Sequence, residues 1–351
     1  MTFEEIYAID AANMYKAIRE FPAQVRDAVT VGTSSRLRSS ARHVDAIVLT
    51  GLGGSAIGGD LLRCYLADEL RIPFVVNRHY TLPRFVGARS LVIVSSYSGN
   101  TEETIAAHKE ANKRRATIIC ISSNGVTERM ARKAKIPLIS IPGGLQPRAA
   151  LGYSFFPLLI VLSRLGIVKS KARAITETID MLTAKATEYG TPDPSTNRAL
   201  QIARLLHGRL GIIYSSTGPL DAVNTRWRTQ VAENAKSLAF GHLLPEMNHN
   251  ELVGWKVLKD QMQEMLVIFL RDKDDHPRVQ SRLDLTKGII AEYTPHIAEV
   301  WSEGTSLLTR MFSLVYLGDW VSYYLGILNH EDPTPVKVID YLKSELAHFH
   351  P

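Results

Sequence analysis

Cysteine is scarce: Cys64 and Cys120 are the only two in 351 residues. They fall in a helix-like and a strand-like segment and read as small core residues rather than as a disulfide, so a reducing, cytoplasmic location is expected. No apolar run approaches a bilayer span, and the start, Met1-Thr2-Phe3-Glu4-Glu5, lacks the basic-then-apolar pattern of a signal peptide. No membrane partner is expected. Extremes of composition are missing too, since 45% hydrophobic and 22% charged residues fit neither a disordered chain nor a membrane bundle. The net charge of +6 raises nucleic acid as a partner, but the basic residues are dispersed. Their densest groups, Lys109 to Arg115 and Arg129 to Lys135, read as solvated helix faces, so no nucleic-acid binding is expected. Short-period repeats are absent.

The length suits two domains of ordinary size. The segment up to Arg42 reads as helices, with Ile6, Ala8, Ala11 and Met14 at helical spacing and no basic recognition-helix cluster. Wholly apolar strand-like runs then alternate with helical segments at 46–50, 73–76, 91–94, 117–121 and 137–141. Strands apolar on both faces imply a parallel sheet covered on both sides. A helical stretch, roughly Tyr153 to Tyr189, leads to a second set of strands at Leu210 to Tyr214, Ser237 to Phe240, Met265 to Leu270 and Ile297 to Trp301. Helices follow from Ser306 to Leu328 and from Thr334 to Ala347, and Gly190 to Ser195 is the best linker signal. The fold class is α/β: two domains, each a doubly wound parallel sheet flanked by helices in a three-layer αβα sandwich. The expected divisions are 1–152, a helical connection 153–195, and 196–351.

The most informative stretch is Ser95-Ser96-Tyr97-Ser98-Gly99-Asn100-Thr101, between the run Ser90 to Val94 and a helix expected from Glu103 to Lys113. A strand there delivers hydroxyls to a helix N-terminus, whose free N–H groups and dipole favour an anion. Ser96, Ser98 and Thr101 can each donate a further hydrogen bond, and no lysine or arginine lies in the loop. A neutral cradle of this kind suits a phosphate monoester, whereas capping alone needs one hydroxyl. Gly51-Leu52-Gly53-Gly54-Ser55-Ala56 follows the first strand and matches G-x-G-x-x-G/A spacing. A dinucleotide site also wants an acidic residue ending the second strand, and this one ends in Asn77-Arg78. Gly54 and Ser55, with the hydroxyl cluster, point instead to a small phosphorylated ligand at the carboxyl edge of the sheet.

These two loops resemble the sugar isomerase (SIS) domain, which binds phosphosugars. In the second half, Gln230-x-x-Glu233-Asn234-x-Lys236, Pro245-Glu246-x-Asn248-His249-Asn250-Glu251 and Pro333-Thr334-Pro335-Val336 leading to Leu342-Lys343 resemble the bifunctional phosphoglucose/phosphomannose isomerases. The resemblance covers nearly the whole chain and implies interconversion of glucose 6-phosphate and mannose 6-phosphate with fructose 6-phosphate, with sugar phosphates as the small-molecule partners. Such chemistry opens a ring and moves a proton between adjacent carbons through a cis-enediol. Glu233, by itself a surface helical glutamate, becomes the base that moves it. The resemblance implies that His249 moves a proton at the ring oxygen, reaching the site from the other subunit of a homodimer with shared sites. The resemblance further implies that Arg148, after the fifth strand, stabilises the enediolate, as an always-charged planar donor can. Lys343 fits the lysine near the ring oxygen, with Lys337 as competitor. Val336 takes the place of a small side chain that leaves room for either C2 epimer.

Three alternatives stand beside this reading. One is a non-catalytic phosphosugar sensor, which would need neither Glu233 nor His249. Another is a metal site at His242, Glu246, His249 and Glu251, whose spacing fits neither H-E-x-x-H nor a Glu-x-x-His helix, so no metal and no cofactor are expected. The third, a metal-dependent mannose-6-phosphate isomerase, is a β-barrel family, at odds with alternating strands and helices.

Overall fold

The helical spacing at the amino end resolves into α1 (Phe3–Ile9), α2 (Met14–Arg19) and α3 (Phe21–Ser34). Residues 1–37 and 44–348 are described in the computed structural model, so the part of the helical expectation that reaches Arg42, and the last residues of the expected division ending at 351, lie outside the described residues. The first set of alternating elements is β1 (Ala46–Thr50), α4 (Gly53–Leu66), β2 (Phe74–Asn77), β3 (Ser90–Ser95), α5 (Glu102–Lys113), β4 (Thr117–Ser122), α6 (Gly125–Lys133) and β5 (Leu138–Ser140). After α7 (Leu151–Arg164), α8 (Ala172–Gly190) and α9 (Arg198–Leu206) come β6 (Leu210–Ser216), α10 (Asp221–Ala235), β7 (Ala239–Leu244), α11 (Lys259–Gln263), β8 (Met265–Arg271), α12 (Pro277–Ile290) and β9 (Ile297–Trp301). The chain closes with α13 (Leu307–Leu328) and α14 (Lys337–Ala347).

Two parallel sheets result, ordered β2-β1-β3-β4-β5 and β7-β6-β8-β9. In both, the first strand sits inside and the chain then runs outward in opposite directions, as in doubly wound folds. Side chains alternate between layers with the strand period of two. Ile47, Leu49, Leu91, Ile93, Ile119 and Ile121 face a large core that also takes in Ile213, Leu266, Ile268 and Leu270 from the second sheet. Their neighbours Val48, Val92, Val94, Ile118 and Cys120 pack under the outer helices of the first sheet, while Ile212, Tyr214, Val267 and Phe269 do so for the second. One central core therefore joins both halves, and the inner strands are covered on both faces, the reason β1, β3, β4 and β8 are almost wholly apolar, whereas the edge strands β7 and β9 are partly exposed. Cys64 on α4 and Cys120 on β4 are buried and unpaired; desolvation pushes the first thiol up to about 11 and the second up to about 12, so both are inert at neutral pH.

Three expectations need correction. The helical stretch from Tyr153 to Tyr189 is two helices, because α7 ends where the Ile167 N–H closes back on the Leu162 carbonyl at 3.0 Å. The strand expected at Ser237 to Phe240 begins later, at Ala239, and runs to Leu244. Lys236, in the left-handed region at φ 54°, turns the chain out of α10, and only from Ala239 onward does β6 offer a ladder, pairing Gly211 with Ala239 and Ser216 with Leu244. Lastly, α13 is long and apolar enough to cross a membrane by length and composition, contrary to the expectation that no run approached a span. It is instead a core helix, with 94% of its apolar window buried between the two halves.

Candidate active site

β1 and β3 are neighbours, so the turns that follow them meet at the switch point where the first sheet's strand order reverses. Ser55 Oγ, in the first turn of α4, accepts the Tyr97 N–H at 3.1 Å and ties the two loops together. Ser96 Oγ and Thr101 Oγ1 lie 3.2 Å apart. Thr101 occupies the N-cap position of α5 yet makes no capping hydrogen bond, so its hydroxyl is not consumed by its own helix. Ser98 is exposed and accepts the Asn100 N–H at 3.3 Å. Ser122 and Ser123 support the loop from beneath, donating to the carbonyls of Ser96 (2.7 Å) and Tyr97 (2.6 Å). Gly99, at φ +70°, is obligatory: a Cβ there would stand 1.8 Å from the Asn124 carbonyl oxygen. Ser98→Ala and Thr101→Val are each expected to raise KM by the loss of a charge-assisted hydrogen bond to phosphate, about 1–3 kcal/mol. Unchanged steady-state kinetics in both variants would mean that phosphate binds elsewhere.

Gly54 carries a second duty. Its missing Cβ admits the Pro147 carbonyl oxygen, which would lie 2.3 Å from such an atom, so the turn Pro147–Ala149 sits directly on the first turn of α4. That seat brings Arg148 beside the phosphate loops. Arg148 is 3% exposed. Its Nε donates to Asn234 Oδ1 (2.7 Å), and its Nη2 donates to the carbonyls of Pro333 (2.5 Å) and Thr334 (2.8 Å). The remaining Nη1 faces Glu233 Oε2 at 3.5 Å, from a carboxylate still about 30% exposed. Burial lowers the Arg148 pKa while Glu233 opposes that shift, and a guanidinium stays charged throughout. The structure thus unites the hydroxyl loops, Arg148 and Glu233.

Lys236, quoted in the sequence motif without a role, belongs to the same neighbourhood. Its Nζ donates to the Glu233 carbonyl at 2.6 Å and to the Pro333 carbonyl at 3.3 Å, and burial, with Arg148 nearby, lowers its pKa. Its left-handed backbone is what returns the ammonium towards the end of α10, a feature that side-chain periodicity does not reveal.

His249 and Lys343 are not brought to this cluster within one chain. His249 ends an exposed 3-10 turn, Glu246–His249, and no hydrogen bond or ion pair joins it to Glu233 or Arg148 among the described residues. The segment is nevertheless pinned: Asn248 Nδ2 donates to Thr286 Oγ1 (2.8 Å), Asn250 Nδ2 to Glu246 Oε1 (2.8 Å), and Glu251 receives the buried Tyr214 hydroxyl (2.5 Å) and His242 Nδ1 (3.1 Å). His242, Glu246 and Glu251 are therefore engaged with protein partners. Lys343 and Lys337 lie on α14, exposed from Lys337 to Leu346, with apolar side chains such as Val338 (81%) and Tyr341 (66%) facing outward.

The second sheet's carboxyl edge is differently furnished. Asp272 and Asp275 stand there and are satisfied internally, by Ser302 Oγ (2.7 Å) and Arg310 Nε (2.9 Å) on Asp272 and by Ser216 Oγ (2.5 Å) on Asp275.

A doubly wound sheet with a hydroxyl-lined anion loop, abutting a buried arginine and a half-exposed glutamate, defines the SIS class of phosphosugar-binding proteins. Residues 41–144 match the SIS domain, and residues 195–346 match the bacterial phospho-glucose isomerase C-terminal SIS domain. The chain is 43% identical to a bifunctional phosphoglucose/phosphomannose isomerase of Caldicellulosiruptor bescii, over 95% of this chain and 99% of that one. It is 37% identical to one of Aquifex aeolicus, over 86% and 90% respectively. A crystal structure of a hypothetical protein from Thermus thermophilus superimposes with a TM-score of 0.75 at 15% identity, covering 99% of this chain and 94% of that one, a likeness of fold. The chain belongs to the bifunctional phosphoglucose/phosphomannose isomerase family.

Proposed function

We propose that this chain interconverts glucose 6-phosphate and mannose 6-phosphate with fructose 6-phosphate, acting as a cytoplasmic homodimer with shared sites. The observation that carries the reading is the Arg148 Nη1 to Glu233 Oε2 approach at 3.5 Å, a base and, on a turn packed against Gly54 at the start of the helix that carries Ser55, an anion stabiliser. Residues 1–152 supply the cradle of Gly54, Ser55, Ser96, Ser98 and Thr101, residues 153–195 connect, and residues 196–351 supply the proton chemistry.

The phosphate anchors the sugar. His249 of a second copy, with Lys343, handles the proton at the ring oxygen, and the chain opens. Glu233 then removes the proton from C2 and returns it to C1. The carbonyl oxygen gathers negative charge in that step, and Arg148 Nη1, whose companions Nε and Nη2 are already committed, answers it. Outward-facing apolar residues on α14 and on the His249 side, Val253 (77%) and Val257 (81%) among them, support a partner that covers both. A sensor would have no use for a carboxylate held against a buried arginine at the phosphate site.

The direct test is assay of purified protein with each of the three sugar phosphates, with and without EDTA. Both aldose phosphates should turn over, and chelator should leave the rates intact, because the nearest candidate ligands are spaced poorly and already bonded to protein groups. Activity lost in EDTA and restored by zinc would overturn metal independence, and binding without turnover would favour the sensor.

A further inference from the structure

Behind Arg148 lies a buried polar stack that the proton transfers do not use. Asp319, on the largely apolar α13, is 5% exposed and accepts Arg226 Nε (2.9 Å) and Nη2 (2.8 Å) together with Gln230 Nε2 (3.0 Å). Arg226, also buried, extends its Nη2 to the carbonyl oxygen of Arg148 at 3.0 Å. A turn further along α13, Ser322 Oγ donates to the Asp319 carbonyl (2.8 Å) and accepts Asn234 Nδ2 (3.0 Å). Asn234 Oδ1 in turn holds Arg148 Nε. Arg226, Gln230 and Asn234 recur every four residues along α10, which directs all three at α13. Arg148 is therefore gripped at its main chain by Arg226, which the Asp319 carboxylate fixes, and at its guanidinium by Asn234 and the carbonyls of Pro333 and Thr334; Asn234 reaches Asp319 only through Ser322 and the Asp319 main-chain carbonyl.

A buried ion pair adds little net stability over well-packed apolar residues of the same volume, so stability alone does not account for this stack. Its geometry does. With Nη2 held by the carbonyls of Pro333 and Thr334, it helps leave Nη1 directed at Glu233 and fixes where that nitrogen stands. We propose that Asp319 is a positioning residue for Arg148, acting through Arg226; this rests on the reading of Arg148 as the enediolate donor.

Asp319→Asn keeps the shape but weakens the hold on Arg226. It should lower kcat on the order of 10–100-fold, the scale of an ångström-sized misplacement, with KM for fructose 6-phosphate within about twofold because the cradle is in the other half. Arg226→Lys keeps a cation beside Asp319 but loses the fork that reaches both Asp319 and the Arg148 carbonyl, should act in the same direction, and keeps the proposal testable if Asp319→Asn does not fold. The decisive measurement is a pair of double-mutant cycles on kcat. In an Arg148→Lys background the further loss from either variant should nearly vanish, whereas in a Glu233→Asp background it should persist in full. Equal losses in wild type and Arg148→Lys, or losses confined to KM, would overturn the positioning role. If Arg148→Lys itself leaves kcat unchanged, the role of Arg148 fails and the proposal with it, an outcome distinct from an intact Arg148 effect without coupling.

Discussion

Glu233→Gln is expected to abolish isomerisation of glucose 6-phosphate and mannose 6-phosphate together, while a fructose 6-phosphate analogue still binds. Glutamine keeps the size and hydrogen bonding of the side chain but cannot take a proton from carbon. Removal of a general base typically costs on the order of 10²–10⁴-fold, more when no other group can accept the proton. Around Glu233 the nearby titratable groups are Arg148 and Lys236, one always charged and the other engaged with carbonyls, so neither substitutes as base. Binding persists because the phosphate hydroxyls lie on α4 and the loop before α5, untouched by the replacement. The paired loss is the sharp part, since one carboxylate serves both C2 epimers. Turnover of mannose 6-phosphate surviving in Glu233→Gln, with glucose 6-phosphate turnover gone, would sink the single-base mechanism.

Mixing two dead proteins should restore activity. Glu233→Gln and His249→Ala are each expected to be inactive alone. In a symmetric dimer whose sites take Glu233 from one subunit and His249 from the other, random re-pairing of equal amounts makes one intact site in each mixed dimer, roughly a quarter of all sites. His249 and α14 both stand on exposed surface, unattached to Arg148 or Glu233 among the described residues, which is the arrangement such sharing requires. No recovery after verified subunit exchange would assign His249 to its own subunit's site, or to no site.

Much of the fold was legible because parallel strands buried on both faces leave an unmistakable local pattern. β1, β3, β4, β6 and β8 are apolar runs in the sequence and strands in the structure, their side chains dividing between inner and outer layers. β7 starts later than the sequence suggests because residues such as Gly241 and His242 carry little strand preference of their own and follow β6. α13 shows the converse: its composition suits a membrane, and only the helices packed around it, α10, α9 and α8, show that it is a core helix.

The candidate site divides along the same line. The sequence by itself determined the hydroxyl loops, since a strand, a cluster of hydroxyls and a helix start are consecutive residues whose backbone geometry is local. It also carried the residue types of the Glu233 and His249 motifs. Only the tertiary structure decided that Arg148 meets Pro333, 185 residues away, and Glu233, 85 residues away, and that Asp319 stands behind them both. Such contacts are set by which helix faces a shared core buries against one another. That burial is non-directional and sums over the whole chain, so no short stretch of residues records it.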